Sequence, residues 1–220
     1  MPRDAALRLS TVSVVDALVA SLRDRVLDGQ IPPGSTMTEA EIATAYGVSR
    51  PTARSALTAL VHEGLLYREA NKRTCVPRLS QADIEDLFLI RIPLETEVVR
   101  ILIARDAVPV IEAARAVADL EHIDATAAHA AFVEADLRFH QSLVDAVGSP
   151  RYDRLYRQIR GEVHLSMVQT RHTLGRERIV AEHGGILEAM RAGDADEAVR
   201  RMRDHLDGAC RSLRQVFAET

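Results

Sequence analysis

The chain has 220 residues and a formal net charge of −4, with 28 basic and 32 acidic side chains. This length allows one large domain or two small ones, each with its own hydrophobic core. Its two cysteines, Cys75 and Cys210, are far apart in the sequence; they fit neither a disulfide framework nor a cysteine-rich zinc fold and suit a reducing compartment.

Neither a membrane segment nor an export signal is expected. No apolar run in the sequence approaches the roughly 18 residues that a membrane-spanning helix needs. The first ten residues, "MPRDAALRLS", lack the apolar stretch of a signal peptide. We therefore expect a soluble, cytoplasmic protein.

The charge of the sequence changes near residue 80. Residues 1–79 carry 10 basic and 8 acidic side chains, whereas residues 80–220 carry 18 basic and 24 acidic ones. A locally basic segment on an acidic protein indicates a polyanionic partner for that segment alone. We therefore predict two domains, residues 1–79 and residues 80–220, of which the first contacts the polyanion.

Two helices are predicted in the first part of the N-terminal domain. The segment 11–29 has apolar residues at helical spacing and stops at its glycine. A second, short helix begins after Thr38, which forms a capping box with Glu41 three residues later, and this helix ends at Gly47.

A third helix and a hairpin complete this domain. Ser49 caps the helix, and Pro51 lies in its first turn, where a missing N–H costs little. The helix is expected to end near Glu63, just before a glycine. After it, "LLYRE" and "TCVPRL" are two short extended stretches joined by "ANKR", which predicts a β-hairpin with a basic tip.

The second and third helices, separated by "YGVS", form a helix-turn-helix pattern. In this motif the N-terminal residues of the second helix of the pair contact base edges in the major groove. Arginine at that position can bind guanine or phosphate, and a basic hairpin tip can reach an adjacent groove. We therefore predict that DNA is bound by Arg50, Thr52, Arg54, Lys72 and Arg73. A solvated helix face is the alternative for any single residue.

The segment 38–66, "TEAEIATAYGVSRPTARSALTALVHEGLL", resembles the winged helix-turn-helix domain of GntR-family bacterial transcription regulators. The residues that carry the resemblance are Glu41, Ile42, Ala43, Gly47, Val48, Ser49, Arg50, Arg54, Ala56, Leu57, Leu60, Glu63, Gly64 and Leu65. The resemblance implies a double-stranded DNA operator as the partner. Its symmetry is expected to be pseudo-palindromic, because such regulators act as homodimers.

From residue 80 onward the sequence predicts only helices. The first begins at a serine cap and contains Pro93, which should kink it or remove one hydrogen bond. Short connections between amphipathic helices favour an antiparallel bundle, so the predicted fold is mostly α, with a winged helix-turn-helix domain followed by an all-helical domain. The further helices are predicted at residues 109–124, 127–147, 150–172, 175–192 and 195–217.

Polar residues interrupt the apolar faces of three of these helices. Asp136 and His140 are one turn apart on the 127–147 helix, and His183 and His205 lie on the apolar faces of the last two helices. A single core histidine is ordinarily satisfied by a backbone carbonyl or a buried acid. Four converging polar groups without partners would each cost about 1–3 kcal/mol.

A divalent metal bound by three imidazoles and one carboxylate would satisfy all four groups together. We therefore predict a metal site formed by Asp136, His140, His183 and His205. Zinc is the first expectation, and this ligand set also suits nickel, manganese or iron.

The pattern D-x-x-x-H on one helix, followed by single histidines on two later helices, resembles the FCD ligand-binding domain of FadR-type GntR regulators, in its metal-binding branch. The resemblance implies open coordination positions that a small carboxylate effector can occupy. Arg91, in "RIPLE", matches an arginine of that family that faces this cavity, and a guanidinium suits a carboxylate. A surface salt bridge from Arg91 to Glu95 is the alternative.

Together these features predict a metal-dependent, small-carboxylate-responsive transcription regulator that acts as a homodimeric repressor and is not an enzyme. Two alternatives remain open. The first is a metalloenzyme in which three histidines and one aspartate hold a metal that activates water, although no further side chain is marked as its general base. The second is a constitutive DNA-binding protein whose helical domain only dimerises.

Overall fold

The computed structural model of the protein describes residues 13–69, 73–123, 129–170 and 175–218. Within these ranges it contains nine helices and three short strands. In chain order the elements are α1 (Val14–Leu27), β1 (Thr36–Met37), α2 (Glu39–Tyr46), α3 (Arg50–His62), β2 (Tyr67–Arg68), β3 (Thr74–Cys75), α4 (Gln81–Ala104), α5 (Val110–His122), α6 (His129–Ala146), α7 (Pro150–Thr170), α8 (Arg176–Arg191) and α9 (Ala195–Ala218).

The N-terminal helices begin and end where their capping residues predict. The Thr38 hydroxyl accepts a hydrogen bond from the backbone of Glu41 while the Glu41 carboxylate accepts one from the backbone of Thr38, which completes the expected capping box. Gly47 ends α2 in the left-handed conformation with φ 63°, and the Ser49 hydroxyl caps α3. The tight turn between α2 and α3 therefore has the expected geometry.

The wing is a three-stranded antiparallel sheet in the order β1-β3-β2. Thr36 and Tyr67 both pair with Cys75, from opposite sides. The sequence predicts the β2–β3 hairpin but not β1, because a two-residue strand shows no hydrophobic periodicity. Helices α1 to α3 and this sheet enclose an apolar core.

Helices α4 to α9 form the C-terminal bundle. Helix α4 packs along α9 and also contacts α6 and α7, while α5 packs on α6 and α8. Helix α4 continues unbroken through Pro93, so this proline removes one backbone donor without ending the helix. The Thr96 hydroxyl one turn later donates to the carbonyl of Ile92 at 2.8 Å. This arrangement places the middle of α4 against α6 and α9, where the polar residues of the bundle converge.

In the described part of the chain, no helix combines the length and the apolar character needed to cross a lipid bilayer.

Candidate functional site

The four predicted metal ligands lie together in the centre of the bundle. Asp136, His140, His183 and His205 are all buried, and one donor atom from each lies within 4.8 Å of the others. Helix α6 supplies the first two residues, which are one turn apart and therefore point the same way. Helices α8 and α9 each supply one histidine. We call these four residues the His–Asp cluster.

The donor atoms of the His–Asp cluster are spaced as ligands of one ion would be. Nε2 of His205 is 3.2 Å from Nε2 of His183 and 3.3 Å from Nε2 of His140. Nε2 of His183 is 3.5 Å from Oδ1 of Asp136. Two ligands about 2.1 Å from one zinc ion, at roughly 90–110° to each other, lie about 3.0–3.4 Å apart. The cluster therefore fits a single divalent ion.

Two carboxylates outside the cluster orient two of its rings. Nδ1 of His140 lies 2.5 Å from Oε2 of Glu95, and Nδ1 of His205 lies 2.8 Å from Oε2 of Glu182. A carboxylate accepts the proton of Nδ1, so each neutral ring presents an unprotonated Nε2 to the cluster. In metal sites, carboxylates commonly orient histidine ligands in this way.

A positive charge between the two oriented rings would be stabilised. The Nε2 lone pairs of His140 and His205 face each other at 3.3 Å, where they repel unless a cation lies between them. A proton is disfavoured on His140, because burial lowers the pKa of this ring. Burial also lowers the pKa of His183 well below its usual value, and the neighbouring rings of His205 and His140 add to this effect. The residues therefore suit a metal ion better than a shared proton.

Glu95 also anchors the arginine predicted to bind an effector. Nε of Arg91 donates to Oε1 of Glu95 at 2.6 Å, and both side chains are buried. Burial alone would raise the pKa of the Glu95 carboxyl, but Arg91 and His140 lower it to about 2. The ion pair between Arg91 and Glu95 thus exists, but it lies in the core and not on the surface.

A small cavity adjoins the His–Asp cluster. It has a volume of about 20 Å³, which holds about one water molecule. Arg91 lines it, and one terminal nitrogen of this buried guanidinium has no hydrogen-bond partner. The lining residues are Phe88, Arg91, Phe132, Asp136, Met167, Ile179, His205, Ala209 and Leu213. A free buried donor beside apolar side chains suits the carboxylate of a compact ligand.

The predicted DNA-binding residues lie on α3 and at the wing. Arg50 and Arg54 are exposed on α3, Thr52 is half-buried in its first turn, and Arg73 is exposed just before β3. Lys72 lies outside the described residues. Arg54 makes two 2.9 Å hydrogen bonds to the carboxylate of Glu39, so a DNA contact by this arginine has to compete with that acid.

Sequence reasoning missed three acids that hold functional side chains. The sequence suggests Glu95 only as a surface partner of Arg91, and it assigns no role to Glu182 or Glu39. Glu182 directly precedes His183. It lies one turn after Arg178, whose Nε donates to its carboxylate at 2.6 Å. Helical spacing alone predicts that local pair. The bond from Glu182 to His205 joins two helices and has no signal in the sequence.

The fold and the site together define a class of protein. A winged helix-turn-helix domain is followed by a helical domain with a buried His–Asp cluster. This is the architecture of a two-domain bacterial transcription regulator that binds DNA.

Comparison with known families gives the same result. Residues 14–76 match the model of bacterial regulatory proteins of the gntR family, and residues 86–208 match the FCD domain. The chain belongs to the GntR family of transcription regulators and carries an FCD domain. Members of this family are regulators and not enzymes, so the metalloenzyme alternative is set aside.

Relatives and solved structures support this assignment over most of the chain. The chain is 26% identical over 204 residues to the HTH-type transcriptional regulator YdhC of Bacillus subtilis, covering 90% of each protein. It is 24% identical over 210 residues to the HTH-type transcriptional repressor RspR of Escherichia coli, covering 90% of this chain and 88% of RspR. A GntR regulator structure from Rhodococcus sp. RHA1 has the same fold, with a TM-score of 0.75 at 24% identity, covering 94% of this chain and 98% of that one.

Proposed function

We propose that this regulator is a metal-dependent repressor that binds its operator as a homodimer and responds to a small carboxylate. The observation that carries the metal dependence is the pair of Nε2 atoms of His140 and His205, which lie 3.3 Å apart while carboxylates hold both Nδ1 atoms. The repressor role is supported by the similarity to RspR, which is described as a repressor.

In this proposal Asp136, His140, His183 and His205 hold one divalent ion, with zinc as the first choice and nickel, manganese or iron as alternatives. Three imidazole nitrogens and one carboxylate oxygen are donors that zinc accepts. When bound, the ion supplies positive charge at the end of the small cavity. Glu95 and Glu182 hold the rings of His140 and His205 in position.

Arg91 is proposed to bind the carboxylate of the effector. Its Nε is held by Glu95, and one of its terminal nitrogens is buried without a hydrogen-bond partner. The remaining lining is mostly apolar, so a compact carboxylate with a short apolar part fits this chemistry. Since the cavity holds about one water molecule, binding of any such effector must displace lining side chains.

The homodimer is proposed to form through the C-terminal bundle. Leu89 and Ile90 on α4 are 72% and 51% exposed and lie side by side, which supports α4 as part of the contact with a second copy. An effector that binds one arrangement of the dimer better than another would change the spacing of the two α3 helices. The operator half-sites would then no longer match.

The border between the two domains is proposed to lie between Leu79 and Ser80. Ser80 caps α4 through a hydrogen bond from the backbone of Asp83, so the bundle begins there. Leu79 packs against the cores of both domains, as a residue at a domain junction does.

The DNA-binding and effector roles are tested with matched variants. A duplex is first selected from a random-sequence pool by the wild-type protein. Replacing Arg50 by Ala should then weaken binding by about 1–3 kcal/mol if the residue contacts a base, whereas Arg211→Ala, on the exposed side of α9, should leave binding unchanged. Equal losses, or no loss for Arg50→Ala, would contradict the proposed interface.

The effector is sought by thermal unfolding of the zinc-loaded protein with a panel of small monocarboxylates. We expect at least one of them to raise the unfolding temperature of the wild type and to have no effect on Arg91→Met, which keeps an unbranched apolar stem but removes the guanidinium. A carboxylate that stabilises both proteins equally would contradict the role of Arg91.

A further inference from the structure

Helix α7 has one face in each domain. Val163 and Met167, one turn apart, belong to the core of the C-terminal bundle. Leu165 is part of the core of the DNA-binding domain. A shift of two residues along a helix turns the side chain by about 200°, so these two sets lie on opposite faces. α7 therefore contributes side chains to both cores.

On the face toward the DNA-binding domain, α7 and the end of α3 meet backbone to backbone. A Cβ atom placed on Gly161 of α7 would lie 1.6 Å from the carbonyl oxygen of Glu63, which follows α3. A Cβ atom on Gly64 would lie 2.4 Å from the carbonyl oxygen of Gln158. No side chain separates the two backbones here, so a change of rotamer cannot absorb a movement of either one.

Four side-chain hydrogen bonds tie α7 to the segment between the domains and α1 to the residue that follows α3. The side-chain amide of Gln169, near the end of α7, donates to the carbonyl of Pro77 at 2.9 Å and accepts from the backbone of Leu79 at 3.4 Å. Glu63 is held on the other side by two hydrogen bonds from Arg23 of α1, at 2.7 and 3.0 Å. A displacement of α7 would thus be passed to α3, to α1 and to the segment between the domains.

On its other face α7 reaches the cavity beside the His–Asp cluster. Met167 lines this cavity together with Arg91 and Asp136. Asp136 and His205, two of the proposed metal ligands, line the same space as Met167. The space holds about one water molecule, so a larger ligand bound there has to move its walls. Met167 is the lining residue that α7 contributes, and it lies less than two turns from Gly161.

We infer that α7 couples the metal site to the recognition helix α3, and that Gly161 is the positioning residue at which the movement is passed on. This inference rests on the proposed metal-dependent function and names its regulation. By linkage, metal and DNA then change each other's affinity by the same factor.

The test compares the affinity of the full chain for the selected duplex with and without Zn²⁺. For the wild type we expect the affinity for the duplex with Zn²⁺ and the affinity without it to differ by a factor of roughly 5–150, the usual range for coupled sites. We call this factor the ratio. Gly161→Ala should reduce this ratio to about one and leave Zn²⁺ affinity without DNA unchanged, because the added methyl group must separate the two backbones. Reciprocally, the duplex should no longer change the Zn²⁺ affinity of this variant.

Two other variants make the result decisive. Gly175→Ala is the matched control, because its φ is −48° and no atom lies within 4 Å of the added Cβ; it should keep the wild-type ratio. Gln169→Ala removes the hydrogen bonds from α7 to Pro77 and Leu79, between the domains, without adding atoms, and should lower the ratio. If Gly161→Ala does not fold, which circular dichroism would reveal, Gln169→Ala decides by the same criterion.

The possible failures are distinguishable. A wild-type ratio that persists in folded Gly161→Ala and in Gln169→Ala overturns the role of α7 but leaves the metal-dependent function intact. A ratio of one in the wild type itself overturns metal-dependent DNA binding, and the inference with it.

Discussion

The two hydrophobic cores of the protein differ in what they contain. Among the described residues, the only buried polar side chain of the DNA-binding domain is Thr74. The bundle buries two acids, an arginine and four histidines, besides smaller polar residues; these charged and titratable residues are Arg91, Glu95, Asp136, His140, His164, His183 and His205.

This difference separates residues that stabilise the fold from candidate functional residues. The apolar core of the first domain lowers the free energy of folding through burial alone. Burial of charged and polar groups in the bundle costs free energy unless each is paired, and carboxylates pair with Arg91, His140 and His205 there. The candidate DNA-binding residues of the first domain lie on its surface, whereas the candidate site of the second lies in its interior.

The first prediction concerns the apolar core. Leu57 is fully buried in α3, and Leu57→Ala should lower the free energy of unfolding by about 2–5 kcal/mol. The loss should be the same with and without Zn²⁺, because none of the four residues of the His–Asp cluster belongs to the described core around Leu57. Denaturant titration in zinc and in chelator measures both values. A loss that depends on zinc would break the comparison.

The second prediction concerns the acid that orients His205. Glu182→Ala removes the acceptor of Nδ1 and should weaken Zn²⁺ binding about 10- to 100-fold, as loss of such partners does. Competition with a chromogenic chelator measures the affinity. Glu177→Ala, earlier on the same helix and exposed, is the control. Unchanged affinity in Glu182→Ala would show that the ring needs no orienting acid.

The third prediction concerns pH and the buried His164. Burial lowers its pKa to about 3, with contributions from Arg160, His129 and Arg23. The unfolded chain takes up this proton below about pH 6.5, whereas the folded protein does not. The stability linked to this group is therefore complete above about pH 6.5 and decreases as the pH falls toward 3.

Between pH 7 and pH 5 the expected loss from His164 is at most about 2 kcal/mol. Replacement by Gln removes the titrating ring, so His164→Gln should lose less stability than the wild type over this range. Urea titrations of both proteins at the two pH values, in chelator, provide the comparison, since the other histidines contribute equally to both. Identical losses would mean that the ring of His164 is protonated in the folded protein.

The smallest effect on the stability of the metal-free protein is expected for an apolar replacement inside the His–Asp cluster. Nδ1 of His183 is buried without a hydrogen-bond partner. His183→Leu should abolish metal binding, yet leave the metal-free protein as stable as the wild type or more stable by on the order of 1 kcal/mol. Unfolding in chelator measures this. A loss as large as that of Leu57→Ala would show that the histidine is needed for the fold itself.

Most of the fold follows from local signals in the sequence. Thr38 with Glu41 and Ser49 with Pro51 fix the starts of α2 and α3, and glycines fix the ends, because capping chemistry acts within one turn. The apolar periodicity of α6, α8 and α9 also brings Asp136, His140, His183 and His205 to one interior. Residues on a common helical face can be predicted to converge without knowledge of the packing.

What the sequence does not reveal depends on contacts between distant segments. The bond from Glu182 to His205 joins α8 to α9, and the contact of Gly161 with Glu63 joins the two domains. Neither contact follows from a rule that relates spacing along the chain to proximity in the fold. The strand β1 is missed for a related reason, since two residues become a strand only by pairing with β3.

The most direct test of the account is the metal content of the purified protein, measured by elemental mass spectrometry before any chelator is used. Wild type, His140→Ala and the control His122→Ala, whose ring is exposed, are compared. We predict about one divalent ion per chain in the wild type and in His122→Ala, and none in His140→Ala. Absence of metal from the wild type after incubation with Zn²⁺, or equal metal in His140→Ala, would contradict the account.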